Sequence, residues 1–318
     1  MSYFQLRTSV VFIIFNRPDL SIKVFEEIRK ARPSKLFIIA DGPRENHPND
    51  VEKCANVRAI VNNVDWECEV FKNYSTINLG CSLRCSTGIS WVFEFVDEAI
   101  ILEDDCLPNM SFFQFCQELL EHYREDERVM QISGDNFEFR EDSRKYSYYF
   151  SMFSHPVSIW GWATWKRAWS KYDYHLMHWP EIREAGSLTA YFGDGRLSQF
   201  WTRIFDDVSN CKFTWDYQWQ FCRWVHEGLC IIPSKNLISN IGWGNDATHT
   251  IIVDSKSIWD NIPSHEMQFP LNHPPYVLRD INADKNNFDM LWSSQPLLSR
   301  FIWQIKKYLR NLFFANKF

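Results

Sequence analysis

Several features that mark other protein classes are missing from this sequence of 318 residues. It contains nine cysteines but no Cys-X-X-Cys pair, which disfavours a zinc or disulfide framework and predicts reduced thiols. No stretch approaches the roughly 20 apolar residues of a membrane-spanning helix. The apolar run at 10–15 is too short for the core of a secretory signal. We therefore expect a cytoplasmic protein.

An excess of positive charge is also missing. The chain carries 34 Lys and Arg against 40 Asp and Glu, a net charge of −6. This balance argues against a nucleic-acid partner, because such partners are held by broad basic faces. The aromatic content, by contrast, is high at 17%, with 15 tryptophans. Part of it must lie in the core, and the rest suggests stacking surfaces for sugars or bases.

Strand-like and helix-like segments alternate in the first hundred residues. The predicted strands are 9–15, 35–40, 67–73 and 99–102, and the predicted helices between them are 19–31, 51–64 and 83–96. This rhythm predicts an α/β fold with a largely parallel sheet and covering helices. In such sheets ligands bind at the carboxyl ends of the strands. Polar clusters follow three of these strands, at 16–18, 41–42 and 103–105, so we expect them to converge on one crevice.

The rhythm changes beyond residue 110. Helices are predicted at 110–125, 186–207 and 216–225, strands at 129–133 and 230–232, and a loop at 240–250. We predict a main domain at 1–255, divided into halves at 1–108 and 109–255. Residues 256–318 would form a C-terminal extension.

Three adjacent carboxylates, Glu103, Asp104 and Asp105, end the apolar strand at 99–102. Side chains alternate along a strand, so Glu103 and Asp105 would share one face. Two carboxylates about 5 Å apart repel by about 3 kcal/mol at an effective dielectric of 20. A bound cation would offset this, and carboxylate oxygens suit Mg²⁺ or Mn²⁺. The alternative is a solvated strand end.

Four motifs within 8–250 resemble, in order and spacing, those of nucleotide-sugar-dependent glycosyltransferases of the A-type fold. They look most like bacterial transferases related to the N-acetylglucosaminyltransferase I group, whose metal motif is also Glu-Asp-Asp. The motifs are Phe15-Asn16-Arg17-Pro18, Ala40-Asp41-Gly42, Asn78-Leu79-Gly80 and Glu103-Asp104-Asp105. The resemblance implies a Rossmann-like mixed sheet with covering helices. The domain at 1–255 would then be catalytic, with a nucleotide-sugar-binding half (1–108) and an acceptor-binding half (109–255). The resemblance also implies a metal-dependent, inverting transfer from a nucleotide sugar, with UDP favoured, by a hexosyl- or N-acetylhexosaminyltransferase.

The resemblance implies donor-binding roles at the first two strand ends. Asn16, Arg17 and Pro18 would lie beside the nucleoside, with Arg17 near the base or the phosphates. Asp41 would accept a hydrogen bond from uracil N3–H or a ribose hydroxyl. The alternative for Asp41 is an ordinary turn residue.

Further roles follow from the same resemblance. Arg84, one turn into a helix, would reach a phosphate or a sugar hydroxyl; alternatively it is a surface arginine. Asp104 would contact the ribose, and Glu103 would act through water or the donor sugar. Asp105 would ligate the Mn²⁺ or Mg²⁺ ion, with His249 as a further metal or phosphate ligand.

The segment SIWGWATW at 158–165 resembles the glycine-containing segment with which these enzymes bind the acceptor. Gly161 would permit close backbone approach, and Trp160 and Trp162 would offer flat faces to sugar C–H groups. The alternative is a tryptophan-rich core strand.

The general base implied by the resemblance is Asp216, in WDYQW at 215–219. An inverting transfer needs a carboxylate that deprotonates the acceptor hydroxyl. The alternative is that Asp216 only caps a helix.

The C-terminal stretch 296–318 has an apolar stripe at helical spacing and five basic residues, which predicts a basic amphipathic helix. It would dock on the inner face of the plasma membrane, or pack on the body or a second subunit. A bacterial surface glycan, free or lipid-linked, would be the acceptor. The alternative function is a non-catalytic glycan-binding or assembly protein on a transferase scaffold.

Overall fold

The protein is described by a computed structural model covering residues 5–137, 144–152, 158–193, 195–242 and 261–293. Within these residues the chain forms an eight-stranded mixed sheet and a two-stranded sheet. The strands are β1 (Ser9–Ile14), β2 (Lys35–Ala40), β3 (Glu69–Tyr74), β4 (Glu98–Glu103), β5 (Cys106–Pro108), β6 (Val129–Ser133), β7 (Tyr148–Ser151), β8 (Trp162–Trp165), β9 (Leu229–Pro233) and β10 (Ile238–Asn240).

Helices cover both faces of the large sheet. They are α1 (Pro18–Ala31), α2 (Asn49–Ile60), α3 (Gly80–Val92), α4 (Met110–His122), α5 (Lys166–Trp169), α6 (Trp179–Glu184), α7 (Ser187–Phe192), α8 (Gly195–Cys211), α9 (Asp216–Val225) and α10 (Ile281–Ser293). Local sequence explains where several begin. Pro18 supplies the fixed φ favoured at the first position of α1. Asn109 caps α4, because its side chain accepts the backbone N–H of Phe112 at 3.2 Å.

The first half of the sheet is parallel, in the order β3-β2-β1-β4. Its central strands are continuous apolar runs because both of their faces are buried. Along β1, Phe12 and Ile14 pack on the side of α1 and α4, whereas Val11 and Ile13 pack on the side of α3. The sheet therefore separates two hydrophobic layers.

The second half of the sheet is mixed. Strand β8 lies antiparallel between β4 and β6, β9 runs parallel to β6, and β7 is antiparallel to β9. The sheet is continuous across residue 108, so the two predicted halves share it. The predicted α/β fold with a mixed sheet and covering helices is confirmed.

One predicted helix is wrong. The pattern at 186–207 predicts a single helix, but the chain forms α7 and α8. Gly193 follows α7 with a left-handed φ of 63°, a conformation that ends helices and that glycine adopts without steric cost. Strand β8, proposed as the alternative for the tryptophan-rich segment, is present and buried.

Residues 261–293 pack against the body. The buried carboxylate of Asp284 in α10 accepts the Ser151 hydroxyl of β7 at 2.5 Å, and Leu271 and Phe288 join the large core. The domain boundary at 255/256 remains a prediction. His249 and the proposed amphipathic helix at 296–318 lie outside the described residues. In the part of the chain that is described, no helix is long and apolar enough to cross a membrane. All nine cysteines lie in the described residues, and none of them forms a disulfide there.

Candidate functional site

Strands β1, β2 and β4 end at the same edge of the sheet. Ile14 of β1 pairs with Ala40 of β2, and Ile13 pairs with Glu103 of β4. The residues that follow these strands therefore emerge side by side, with neighbouring strands about 4.8 Å apart. The predicted convergence of the polar strand ends is confirmed by this register.

Arg17 joins the end of β1 to the end of β4. Its Nη1 donates to Oδ2 of Asp105 at 2.9 Å, and its Nη2 donates to Oδ1 of Asp104. The side chains of Arg17, Asp104 and Asp105 are 18%, 3% and 16% exposed. The guanidinium thus binds two neighbouring carboxylates in a partly buried site, where charge-assisted hydrogen bonds are strong.

The site carries more negative than positive charge. Burial lowers the pKa of Arg17, but the carboxylates of Asp104 and Asp105 outweigh it and raise that pKa, so the guanidinium stays charged. Burial raises the pKa of Glu103 well above its usual range, and Cys81 and the neighbouring aspartates add to the effect. Asp104 and Asp105 share one guanidinium, and a further cation would relieve the repulsion between their carboxylates.

The carboxylate oxygens here suit a hard divalent cation as ligands. Oδ2 of Asp104 is buried and has no hydrogen-bond partner among the described residues, and Asp105 exposes part of its carboxylate. Among the described residues no group of three or more His, Cys, Asp or Glu side chains surrounds a common metal position. Mg²⁺ in nucleotide sites commonly takes only one or two protein carboxylates plus substrate phosphates. The carboxylates therefore fit the predicted Mn²⁺ or Mg²⁺.

Asp41, directly after β2, serves the start of α3. Its carboxylate accepts the backbone N–H groups of Gly42 at 2.8 Å and of Leu79 and Gly80 at 2.9 Å, and the Asn78 amide at 3.1 Å. These donors fill about the four acceptor positions of a carboxylate. The contacts make Asp41 an anchor of the loop before α3. Its predicted hydrogen bond to uracil or ribose remains a prediction.

Two other proposed donor-binding residues also bind neighbouring parts of the protein. Arg84 is only 6% exposed, and it donates to the backbone oxygen and the side-chain oxygen of Asn73 on β3. The interpretation of Arg84 as a surface arginine is therefore wrong. Asn16 donates to Asp50 at 2.7 Å, and Asp50 also binds Arg44. Pro18 begins α1. Their contacts with a donor remain predictions.

The proposed acceptor segment crosses the sheet edge beside Asp135. The backbone N–H of Trp160 donates to Oδ2 of Asp135 at 3.0 Å, and its half-buried ring meets Phe137 edge-on at 5.3 Å. Gly161 has a φ of +77°, and a Cβ there would come within 2.5 Å of the Ile238 side chain. The close approach predicted for Gly161 is thus an approach to protein, and its approach to an acceptor remains a prediction.

Trp162 corrects one prediction. Its side chain is 0% exposed, and its ring stacks on Trp215 with centroids 5.7 Å apart. Because β8 lies in the middle of the sheet and α9 covers it, this ring cannot present a face to a sugar. The proposed acceptor contact of Trp162 is wrong, whereas half-buried Trp160 remains a candidate.

Asp216 is the first residue of α9 and is partly exposed. Its Oδ1 accepts the Thr214 hydroxyl and the backbone N–H of Tyr217 at 2.9 Å. The backbone oxygen of Thr214 in turn accepts the Ser82 hydroxyl of α3 at 2.7 Å. The carboxylate therefore stands next to the first turn of α3, on the face that carries Glu103. Trp215, and not Asp216, occupies the N-cap position.

The sequence interpretation missed Asp135. It follows β6 and is 1% exposed, and within the described part of the chain its Oδ1 has no hydrogen-bond partner. Burial raises its pKa well above the usual range. Ile101 of β4 and Ser133 of β6 both pair with Trp162, so the register places Glu103 and Asp135 level with Trp160 on its two sides. The polar turn after the apolar strand at 129–133 is the signal that could have revealed it.

No protein-family model matches the chain, and no curated protein matches its sequence. Among solved structures, a mannosyltransferase from Pyrobaculum calidifontis in complex with GDP-Man and Mn²⁺ is 14% identical over 41% of this chain and 35% of that chain, with a TM-score of 0.27. A UDP-glucose pyrophosphorylase complexed with UDP-glucose is 12% identical over 43% and 65%, with a TM-score of 0.25.

The galactosyltransferase LgtC in complex with donor and acceptor sugar analogs is 13% identical over 56% of this chain and 64% of that chain, with a TM-score of 0.29. The chain thus spans less than two thirds of each of these three proteins. Similarity of this extent decides neither the fold family nor the activity of this protein.

Proposed function

We propose that the protein is a metal-dependent glycosyltransferase of the A-type fold that uses a nucleotide sugar, with UDP as the favoured nucleotide. One observation carries the proposal: Arg17 bridges Asp104 and Asp105 at the edge where β1, β2 and β4 end together. Open α/β sheets bind ligands at this edge. The guanidinium of Arg17 can bind a diphosphate, and the two carboxylates can bind its cation.

On the donor side, Arg17 would bind the phosphates, and Asp105 would hold Mn²⁺ or Mg²⁺ together with His249. The bound cation would offset the negative charge that develops on the departing nucleoside diphosphate. Asn16 and Asp41 hold the loops on either side of the site through Asp50 and the start of α3. Glu103 and Asp104 would contact the sugar and the ribose.

On the acceptor side, Asp216 would act as the general base of an inverting transfer. The support is its position, partly exposed at the start of α9, where the neighbouring Thr214 backbone oxygen binds Ser82 of α3. Asp216 would take the proton of the acceptor hydroxyl as that oxygen attacks the anomeric carbon. Trp160 would stack on the acceptor, and the backbone at Gly161 would line its path.

Binding of UDP and Mn²⁺ tests this proposal. A ligand at about 100 times its dissociation constant adds about 2.7 kcal/mol of stability, so UDP with Mn²⁺ should raise the melting temperature measurably. Asp105→Ala should abolish the metal-dependent part of the rise. Asp65→Ala is the control, since that exposed aspartate pairs with Arg29 on the surface. Metal-dependent UDP binding that survives in Asp105→Ala would contradict the proposal.

Turnover separates an enzyme from a binding protein. A panel of UDP-hexoses and UDP-N-acetylhexosamines with Mn²⁺ should release UDP with at least one donor. Binding without hydrolysis or transfer for every donor would favour the non-catalytic glycan-binding alternative.

We propose a surface glycan of a bacterium, free or lipid-linked, as the acceptor and the inner face of the plasma membrane as the place of action. The support is the basic amphipathic pattern at 296–318. The full chain should co-sediment with vesicles of anionic phospholipid, and a chain ending at 295 should not. Equal sedimentation of both would contradict membrane docking through this segment.

A further inference from the structure

The guanidinium of Arg17 occupies the carboxylate oxygen that the proposed cation would use. Its Nη1 lies 2.9 Å from Oδ2 of Asp105, while Nη2 binds Asp104. The chain at Gly242 crowds the same oxygen, because a Cβ at that position would come within 2.2 Å of it. Oδ2 of Asp105 is thus bordered by a cationic side chain and by backbone.

We propose that Arg17 and the divalent cation compete for Asp105, and that a nucleoside diphosphate resolves the competition by drawing the guanidinium onto its phosphates. The inference rests on the proposed function. A guanidinium and a metal ion at one carboxylate oxygen repel each other at short range. The guanidinium fork also matches phosphate oxygens in a bidentate way, so a diphosphate offers it an equivalent partner.

The surroundings of Arg17 suit such an exchange. The side chain is 18% exposed, whereas that of Asp104 is only 3% exposed. Arg17 is the N-cap residue of α1, but its side chain makes no capping hydrogen bond, so the guanidinium can leave without removing a helix cap. Asp104 would lose its counter-charge when Arg17 leaves, and the arriving cation would replace it. Cation and nucleotide should therefore bind together far better than the cation binds alone.

Direct Mn²⁺ binding to the full-length chain tests the competition. Free Mn²⁺ is followed by electron paramagnetic resonance, and the dissociation constants of Mn²⁺ with and without UDP are compared in wild type and Arg17→Met. The variant should bind Mn²⁺ alone about tenfold more tightly and UDP more weakly, and the coupling between the two ligands should fall by about tenfold.

Arg44→Met is the matched control. Arg44 lies in the loop before α2 and also binds a buried aspartate, Asp50 of α2. Arg44→Met therefore removes the same charge without freeing Asp105. Its Mn²⁺ affinity should stay within about twofold of wild type, as expected for a screened exposed charge. An Arg17→Met protein that binds Mn²⁺ alone no more tightly than wild type, or an equal gain in Arg44→Met, overturns the competition.

A second variant keeps the test valid if Arg17→Met does not fold, as judged by circular dichroism. Arg17→Lys retains the charge but lacks the rigid planar fork with which arginine binds both carboxylates. It should bind Mn²⁺ alone about threefold more tightly than wild type, and an unchanged affinity counts against the competition. If the Arg17 variants bind Mn²⁺ more tightly but no UDP-sugar is a substrate, the proposed transferase activity is refuted and the competition stands. If a sugar is transferred but the variants bind Mn²⁺ no more tightly than wild type, the competition is refuted and the transferase activity stands.

Discussion

The carboxylate of Asp41 accepts the backbone N–H of Gly80 at 2.9 Å, and the end of β2 thereby holds the first turn of α3. The same carboxylate also binds the N–H of Leu79 and the amide of Asn78. One side chain thus satisfies donors that a helix start leaves without partners within the helix. The loop that borders the proposed donor site depends on this single residue.

Asp41→Ala should therefore destabilise the protein by about 3 kcal/mol, because several buried or partly buried N–H groups would lose their acceptor. Urea unfolding measures the loss. Asp65→Ala is the control, since Asp65 lies on the surface, and its unfolding midpoint should stay close to that of wild type. Equal midpoints for the two variants would show that Asp41 does not anchor α3.

Gly161→Ala should cost about 2 to 4 kcal/mol, the sum of a left-handed backbone and an overpacked contact. The new Cβ would meet Cδ1 of Ile238 at 2.5 Å and Cδ2 of Leu102 at 3.2 Å. Gly186→Ala is a matched control, because Gly186 has a similar φ of +64° but no atom within 4 Å. It should lose only about 1 kcal/mol of unfolding free energy. Equal losses would mean that packing at Gly161 is loose.

Asp135→Asn should change how stability depends on pH. Burial raises the pKa of Asp135, so the folded state keeps its proton above the unfolded value of about 3.9. Stability from this group is present below about pH 3.9 and is lost as the pH rises toward the folded pKa. Asparagine can still accept the N–H of Trp160 and does not titrate. The variant should therefore gain stability relative to wild type as the pH rises from about 4 to about 7.

The opposite sign is expected at Asp126. The hydrogen bond from Arg128 lowers the pKa of that carboxyl, so its stabilising contribution is present at neutral pH and is lost as the pH falls. Asp126→Asn should lose a little stability at neutral pH and none in acid. Urea titrations at several pH values measure both differences. A difference for Asp135→Asn that does not vary with pH would contradict a raised pKa.

Asp216→Asn should lower kcat by about 10²- to 10⁴-fold while UDP and Mn²⁺ still bind, because the amide cannot take the acceptor proton. The amide oxygen can still accept the N–H of Tyr217, so the start of α9 should keep its geometry. Asp173→Asn is the control, since the Asp173 carboxylate accepts the backbone N–H groups of His175 and Met177 in a turn. Turnover by Asp216→Asn at the wild-type rate would place the base elsewhere.

The sequence by itself determined the central strands and the polar residues that follow them. The pattern predicted β2 at 35–40, β6 at 129–133 and α9 at 216–225 with the bounds that the structure has. These elements depend on local apolar periodicity and on polar residues at their ends, which are properties of neighbouring residues in the chain. The polar residues meet at one edge of the sheet because the neighbouring strands run parallel.

Only the tertiary structure decided which partner each polar group has. Arg17 and Asp105 are 88 residues apart, and Asp41 and Gly80 are 39 apart, so no local pattern could pair them. The burial of Trp162 and of Asp135 likewise depends on β8 lying between β4 and β6 under α9. Periodicity describes one segment at a time, whereas hydrogen-bond partners and burial are set by packing between segments that are distant in the chain.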